Sequence, residues 1–266
     1  MTAWVFDIEE FAALWFGPAA DRMVFPLHYT SRFTHLNALE QYRSAVREQW
    51  SEHGRLDLDA AEQLRRAFDV LTGPEVWVEI HGHRRHRPLR VVGARHDRHG
   101  AIAEQSTDGT QVRVSILAAD SLARRVVEVL PAAEAGKRPR QRFDNHDMRP
   151  EDTDVVTIIE GPNPREQYRR LREEPCTSAG VIQVFRGPRT TGGKPPHRVA
   201  AIQWHDRHDG RYLETGTRAR TVVGATAATS AHHVGVEIGR ALEQYGELRE
   251  DAATGCGPVR RPSGQW

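Results

Sequence analysis

The chain carries nearly the same passage twice. Arg90-Val91-Val92-Gly93-Ala94-Arg95-His96-Asp97-Arg98-His99-Gly100 returns as Arg198-Val199-Ala200-Ala201-Ile202-Gln203-Trp204-His205-Asp206-Arg207-His208-Asp209-Gly210. The flanks repeat in kind. Val76-Trp77-Val78-Glu79-Ile80 precedes the first copy and Val181-Ile182-Gln183-Val184-Phe185 the second, and both alternate as strands do. Each unit closes on a helical pattern, from Asp120 to Leu130 and from Ser230 to Tyr245. A duplicated strand-rich unit can pair its copies into one sheet about a pseudo-twofold axis. Such a body offers a broad surface more readily than a deep catalytic pocket.

Four strands are expected in each copy. They cover 76–81, 89–95, 101–105 and 112–117, then 180–186, 198–205, 211–215 and 220–223. Short turns such as Thr107-Asp108-Gly109 join them, so neighbours pair antiparallel. Ahead of the first copy lie a strand at 4–8 and helices at 9–16, 34–52 and 59–71. The second of these shows Leu36, Leu39, Tyr42, Val46 and Trp50 at helical spacing. Asp59 and Glu62 suggest a capping box for the third. Another helix is expected at 163–173. The fold class is therefore α+β: a mostly antiparallel sheet from two meanders with quasi-twofold symmetry, flanked by helical bundles. The whole chain, 1–266, reads as one domain: a first half 1–130, a linker 131–164 in which only Val155-Val156-Thr157-Ile158-Ile159 looks packed, a second half 165–246 and a frayed tail 247–266.

A formal charge of +1 gives no global field for nucleic acid or membrane. Two cysteines without pairing or metal spacing suggest a reducing compartment. The acidic start lacks a signal-peptide core, and no apolar run approaches the roughly 20 residues of a membrane span. A cytoplasmic protein is expected, with no membrane partner.

The doubled His-Asp-Arg-His, 96–99 and 205–208, has the residue types of a zinc or acid–base site. As polar hairpin tips the two copies are expected to stand apart and metal-free. His81-Gly82-His83-Arg84-Arg85-His86-Arg87-Pro88 is a basic hairpin loop suited to phosphates or an acidic protein surface. The absence of an interleaved stacking platform argues against nucleic acid. Gly192-Gly193-Lys194 fails the spacing of a phosphate loop, and 187–196 reads as a long flexible hairpin loop. No nucleophile elbow or dinucleotide fingerprint appears. The sequence gives no positive argument for an enzyme, and no cofactor is expected.

The order of features is similar to that of a known family. Trp4-Val5-Phe6-Asp7-Ile8-Glu9-Glu10-Phe11-Ala12-Ala13-Leu14-Trp15 opens the chain and Phe25-Pro26-Leu27 follows. Then come two helices, the meander with Arg90 to Arg95, and Ser121-Leu122-Ala123-Arg124-Arg125-Val126-Val127 to Leu130-Pro131. Gly180-Val181-Ile182-Gln183-Val184, Trp204-His205-Asp206 and Gly210-Arg211-Tyr212-Leu213 come later. Over roughly residues 3–245 this resembles the EspG family of ESX (type VII) secretion-associated proteins of actinobacteria. The resemblance implies a cytosolic chaperone that binds the PPE tip of a PE–PPE heterodimer. It implies a central antiparallel sheet with two helical bundles, and binding through the sheet face, a first-half hairpin and the C-terminal helices. The partner-binding residues expected here are Arg84, Arg85 and Arg87 on the hairpin, Trp204 and Tyr212 on the sheet, and Glu237 and Arg240 on the last helix. Trp204 and Tyr212 read equally well as core. A nucleic-acid-binding or regulatory module using the basic hairpin 81–98 and Lys137–Arg142, and a metal-dependent hydrolase, are the rival readings.

Overall fold

The computed structural model describes residues 2–17, 22–51, 56–144, 163–189 and 196–254. Strand β1 (Ala3–Asp7) runs directly into helix α1 (Ile8–Trp15). Asp7 ends the strand by capping the helix. Its carboxylate accepts from the Glu9 amide and Glu10 reaches back to the Asp7 amide, a reciprocal capping box. Helices α2 (Leu36–Gln49) and α3 (Leu58–Thr72) follow. Asp57, two residues ahead of the expected cap, accepts from the Ala60 amide and starts α3. The expected apolar stripe of α2 packs shallowly: Val46 is buried, but Leu36 is 70% exposed.

The first meander is β2 (Val76–Arg84), β3 (Arg87–His96), β4 (His99–Gln105) and β5 (Gln111–Ala118), closed by α4 (Leu122–Glu128). Then come β6 (Gln141–Asp144) and α5 (Pro164–Glu173), capped by Asn163. The second meander is β7 (Ser178–Arg186), β8 (His197–Arg207), β9 (Gly210–Thr215) and β10 (Ala219–Gly224), closed by α6 (Ala227–Thr254). The strands form one ten-stranded sheet in the order β1-β5-β4-β3-β2-β7-β8-β9-β10-β6, and every pair of strands is antiparallel. Read from either end, the order gives the same sequence of equivalent strands, as the duplication predicts. The copies meet at β2 and β7, where Ile80 lies opposite Ile182.

The segment expected as a linker contributes to this sheet. β6 pairs with β10 as β1 pairs with β5, burying Phe143. Glu134 and Gly136 bond the backbone of Arg211. The tail is also more regular than expected, since α6 continues to Thr254. The expected strand at 155–159 lies outside the described residues, as does most of the long loop 187–196. Among the described residues, no helix is long and apolar enough to cross a membrane.

Helices pack on both faces of the sheet. On one, α4 and α6 cover Val78, Ile80, Val91, Ile182 and Ile202, with Val126, Val234 and Ile238 in the same core. On the other, α1 and α3 cover Trp77, Val92, Ala103 and Val114, and α5 brings Leu171 onto Tyr212, Val222 and Phe143. Gly180 belongs to the first face. A Cβ there would sit 2.2 Å from the Trp204 ring, so the indole needs glycine beneath it.

The doubled His-Asp-Arg-His is not a structural repeat. In the first copy His96 pairs with His99 across the turn Asp97-Arg98. In the second, Arg207 pairs with Gly210 across His208-Asp209. The letters therefore match two residues out of step with the hairpins. Only the first copy is a tip, whereas His205 and Asp206 lie inside β8. His96 bonds the Gly73 carbonyl, His99 meets Arg66, and His205 meets Arg172. Among the described residues, no three His, Cys, Asp or Glu side chains come together as metal ligands would.

Candidate partner-binding face

The two halves are unequally covered. In the first, α1–α3 lie over the sheet; in the second, α5 covers only the outer strands on that side. Between them the face of β2, β7 and β8 stays open as a trough of about 780 Å³. Strand register sets its floor. His81, Val181 and Gln203 stand in one row across β2, β7 and β8, ending on the buried Glu214 of β9, and His83, Ala179 and His205 in the next, ending on the buried Tyr212. The same strands place Ile80, Ile182 and Ile202 on the covered face, so alternation alone separates core from trough.

One wall is built around Glu214, whose carboxylate is 1% exposed. It accepts from the Tyr168 hydroxyl at 2.7 Å, from Arg220 at 3.1 Å and from Arg172 at 3.4 Å. Arg172 also bonds the Gln203 side chain and lies 3.1 Å from His205 Nε2. Burial, reinforced by the hydrogen bond to Glu214, pushes the Tyr168 hydroxyl up to about 12. Burial, then the charge of Arg172, lowers His205 to about 4, so its imidazole is neutral at pH 7. The unfolded chain takes up a proton near pH 6.5 that folded His205 refuses. Its contribution to stability is therefore lost as pH falls from about 6.5 to about 4, with a slope of up to about 1.4 kcal/mol per pH unit. Urea melts at pH 7 and pH 5 should show this loss, and His205→Gln should reduce it. An undiminished loss in the variant would assign it elsewhere.

Further along the same face, past Gln183, Arg189 stands over Trp77 at the root of the long second-half loop. Its Nε donates to the Leu71 carbonyl at 2.9 Å, and its guanidinium lies 4.9 Å over Trp77, which stacks on Phe185 at 5.0 Å. Glu79 is 3.9 Å away. Burial raises Glu79 and holds Arg189 down to about 9. At the rim, Phe25 is 55% exposed with its ring 5.1 Å from His81.

The expected contact residues separate into three groups. Arg84, Arg85 and Arg87 are exposed at the end of β2 and β3, beyond His81 and His83 of the trough. Their loop is shorter than expected because the strands continue to Arg84 and Arg87. The turn is Arg85-His86 alone, at φ of 47° and 66°. Trp204 and Tyr212 are core and offer no surface. Trp204 is fully buried on the α6 side and its indole donates to Ser178 Oγ. Tyr212 is 2% exposed beneath α5, its hydroxyl held by Asp209 and the Arg138 amide. Glu237 and Arg240 pair with each other at 2.7 Å on α6, across the sheet from the trough. Sequence reasoning missed Arg172, Arg198, Arg220 and Phe25. A signal existed in Gln183, Gln203 and His205, polar residues in strands that would be apolar in both phases if covered on both faces.

No curated protein sequence matches the chain. Among solved structures, the chain is similar to the Mycobacterium tuberculosis type VII secretion system chaperone EspG5, in a structure of its complex with the PE25-PPE41 dimer. The TM-score is 0.54 and the identity 14%, covering 100% of this chain and 99% of that one, a likeness of fold. The EspG family model matches residues 7–236, the duplicated sheet with its flanking helices, and by that match the chain belongs to the EspG family.

Proposed function

We propose that the protein is a non-enzymatic, cytosolic chaperone for ESX (type VII) secretion. It caps the helical tip of the PPE subunit in a PE–PPE-type heterodimer and keeps that client soluble until handover. The observation that carries this reading is the family match over residues 7–236. Support comes from the likeness to EspG5, which was solved with a PE25-PPE41 dimer on it. The uncovered centre of the sheet supplies the surface: an open trough with a basic hairpin at one end. A standard interface buries about 1,600 Å² in total, and a ten-stranded sheet with three central strands uncovered on one face has room for it. Arg84, Arg85 and Arg87 are the expected hairpin contacts. Charge reversal there should slow association more than it speeds dissociation, with an effect that shrinks in salt. Glu237 and Arg240 form an i,i+3 pair worth about 0–1 kcal/mol and contribute through α6 only if the client reaches around the sheet.

Co-expression with each PE–PPE pair of the host tests the proposal. The expected result is a soluble 1:1:1 complex with at least one pair, whose client precipitates when expressed alone. Failure to recover a complex with any pair would contradict the chaperone reading.

A further inference from the structure

We propose that the client surface seated in the trough is acidic, and that it is read by arginines carried on the sheet and α5. This rests on the chaperone reading and names the chemistry of its partner. Arg172, Arg198 and Arg220 line the trough, and Arg90 stands beside His81 on the same face. Among the described residues none of the side chains lining the trough is a carboxylate, and Glu214 behind its wall is nearly inaccessible and already shared between Arg172 and Arg220. Arg90 and Arg198 have no ion-pair partner among the described residues. Positive charge therefore exceeds negative charge around this trough, although the whole chain carries only +1. Burial lowers both His81 and His205, so the excess charge does not depend on these two imidazoles.

The floor between these cations is uncharged: Ala179, Val181 and Ala201, with the amides of Gln183 and Gln203. This arrangement suits a segment that lays small apolar side chains on the sheet and directs carboxylates to the rim. Guanidinium groups bind carboxylates through paired, charge-assisted hydrogen bonds. Exposed Phe25 offers an apolar anchor at the edge. A nucleic-acid strand fits less well. Binding of single strands relies on aromatic platforms for the bases, and among the described residues no Phe, Tyr or Trp side chain lines the trough floor.

The test has two arms. In the first, Arg90→Glu and Arg198→Glu are assayed against the PE–PPE pair recovered by co-expression. Arg65→Glu, on the outer surface of α3, is the control, and thermal melts confirm folding. Each trough variant should weaken binding by about tenfold or more, chiefly through association, and the control should not. Affinity unchanged in both trough variants would overturn the proposal and leave the chaperone reading standing. The second arm needs no client: hexaglutamate is titrated into the full chain and arginine side-chain NMR signals are followed. Signals of Arg90, Arg198 and Arg220 should move while those of Arg65 and Arg170 stay, and hexaglutamine should move none. Uniform shifts, or no shifts, would overturn the proposal even if no client were found. Tighter binding of a 12-base-pair DNA duplex at the same arginines than of any acidic polypeptide tested would also overturn it, in favour of a nucleic-acid face.

Discussion

Replacing Trp204 by alanine is expected to cost about 3–5 kcal/mol of stability, among the largest effects of any single substitution. The side chain is fully buried in the core shared by both halves and α6. It lies over Gly180, which can spare no atom of space, and its indole nitrogen donates to Ser178 Oγ at 3.2 Å. Truncation leaves a cavity at the sheet's centre and an unpaired buried hydroxyl. Since typical domains are stable by only about 5–15 kcal/mol, such a loss should be plain in urea unfolding. Trp204→Phe, which keeps much of the volume, should cost less. A Trp204→Ala protein that melted like the parent but lost its client would contradict the core assignment and restore this residue as a contact.

Arg211→Ala should be comparably damaging, at about 3–5 kcal/mol. The guanidinium is 1% exposed and bonds both oxygens of Asp206, at 2.6 and 2.8 Å, as well as the Pro131 carbonyl at 2.6 Å. Its amide also donates to the Glu134 carbonyl, and its carbonyl accepts from the Gly136 amide. Removing the cation strands a carboxylate that is only 6% exposed and frees the segment that leads to β6. Removing both charges, as in Asp206→Leu with Arg211→Met, should recover most of the loss, because the penalty comes from the unpaired charge rather than from a large net gain of the pair. Equal instability of the single and double variants would place the cost in packing instead.

The twin meanders were legible because their signals are local: alternation for strands, short polar turns for antiparallel neighbours, and apolar helical spacing after each. The strand ends were not. Arg85-His86 makes a two-residue turn with positive φ at both residues, a geometry normally announced by Asn-Gly. Without those letters the strand ends passed for loop. β6 escaped notice because it buries one residue, Phe143, in a polar stretch, and its place comes from pairing with β10. The repeated letters at 96–99 and 205–208 misled in a different way. Likeness of sequence suggested two equivalent tips, and a two-residue offset placed one copy inside a strand. The trough was hardest to read. Whether Val181 and Gln203 face solvent depends on which helices cover the sheet, and their spacing within the strand does not encode that. Trp204 and Tyr212 looked like hot-spot residues because large aromatics serve interfaces and cores alike. Their neighbours, Gly180 beneath the indole and Leu171 above the phenol, decide for core.

A helical client is expected to dock on the uncovered centre of this sheet. The structure of the protein bound to its co-expressed PE–PPE pair measures that most directly. The PPE tip is expected over Val181, Gln203 and the Arg84–Arg87 hairpin, with client carboxylates against the trough arginines. A client seated instead on α2 and α3, or on the outer surface of α6 with the trough left empty, would contradict it.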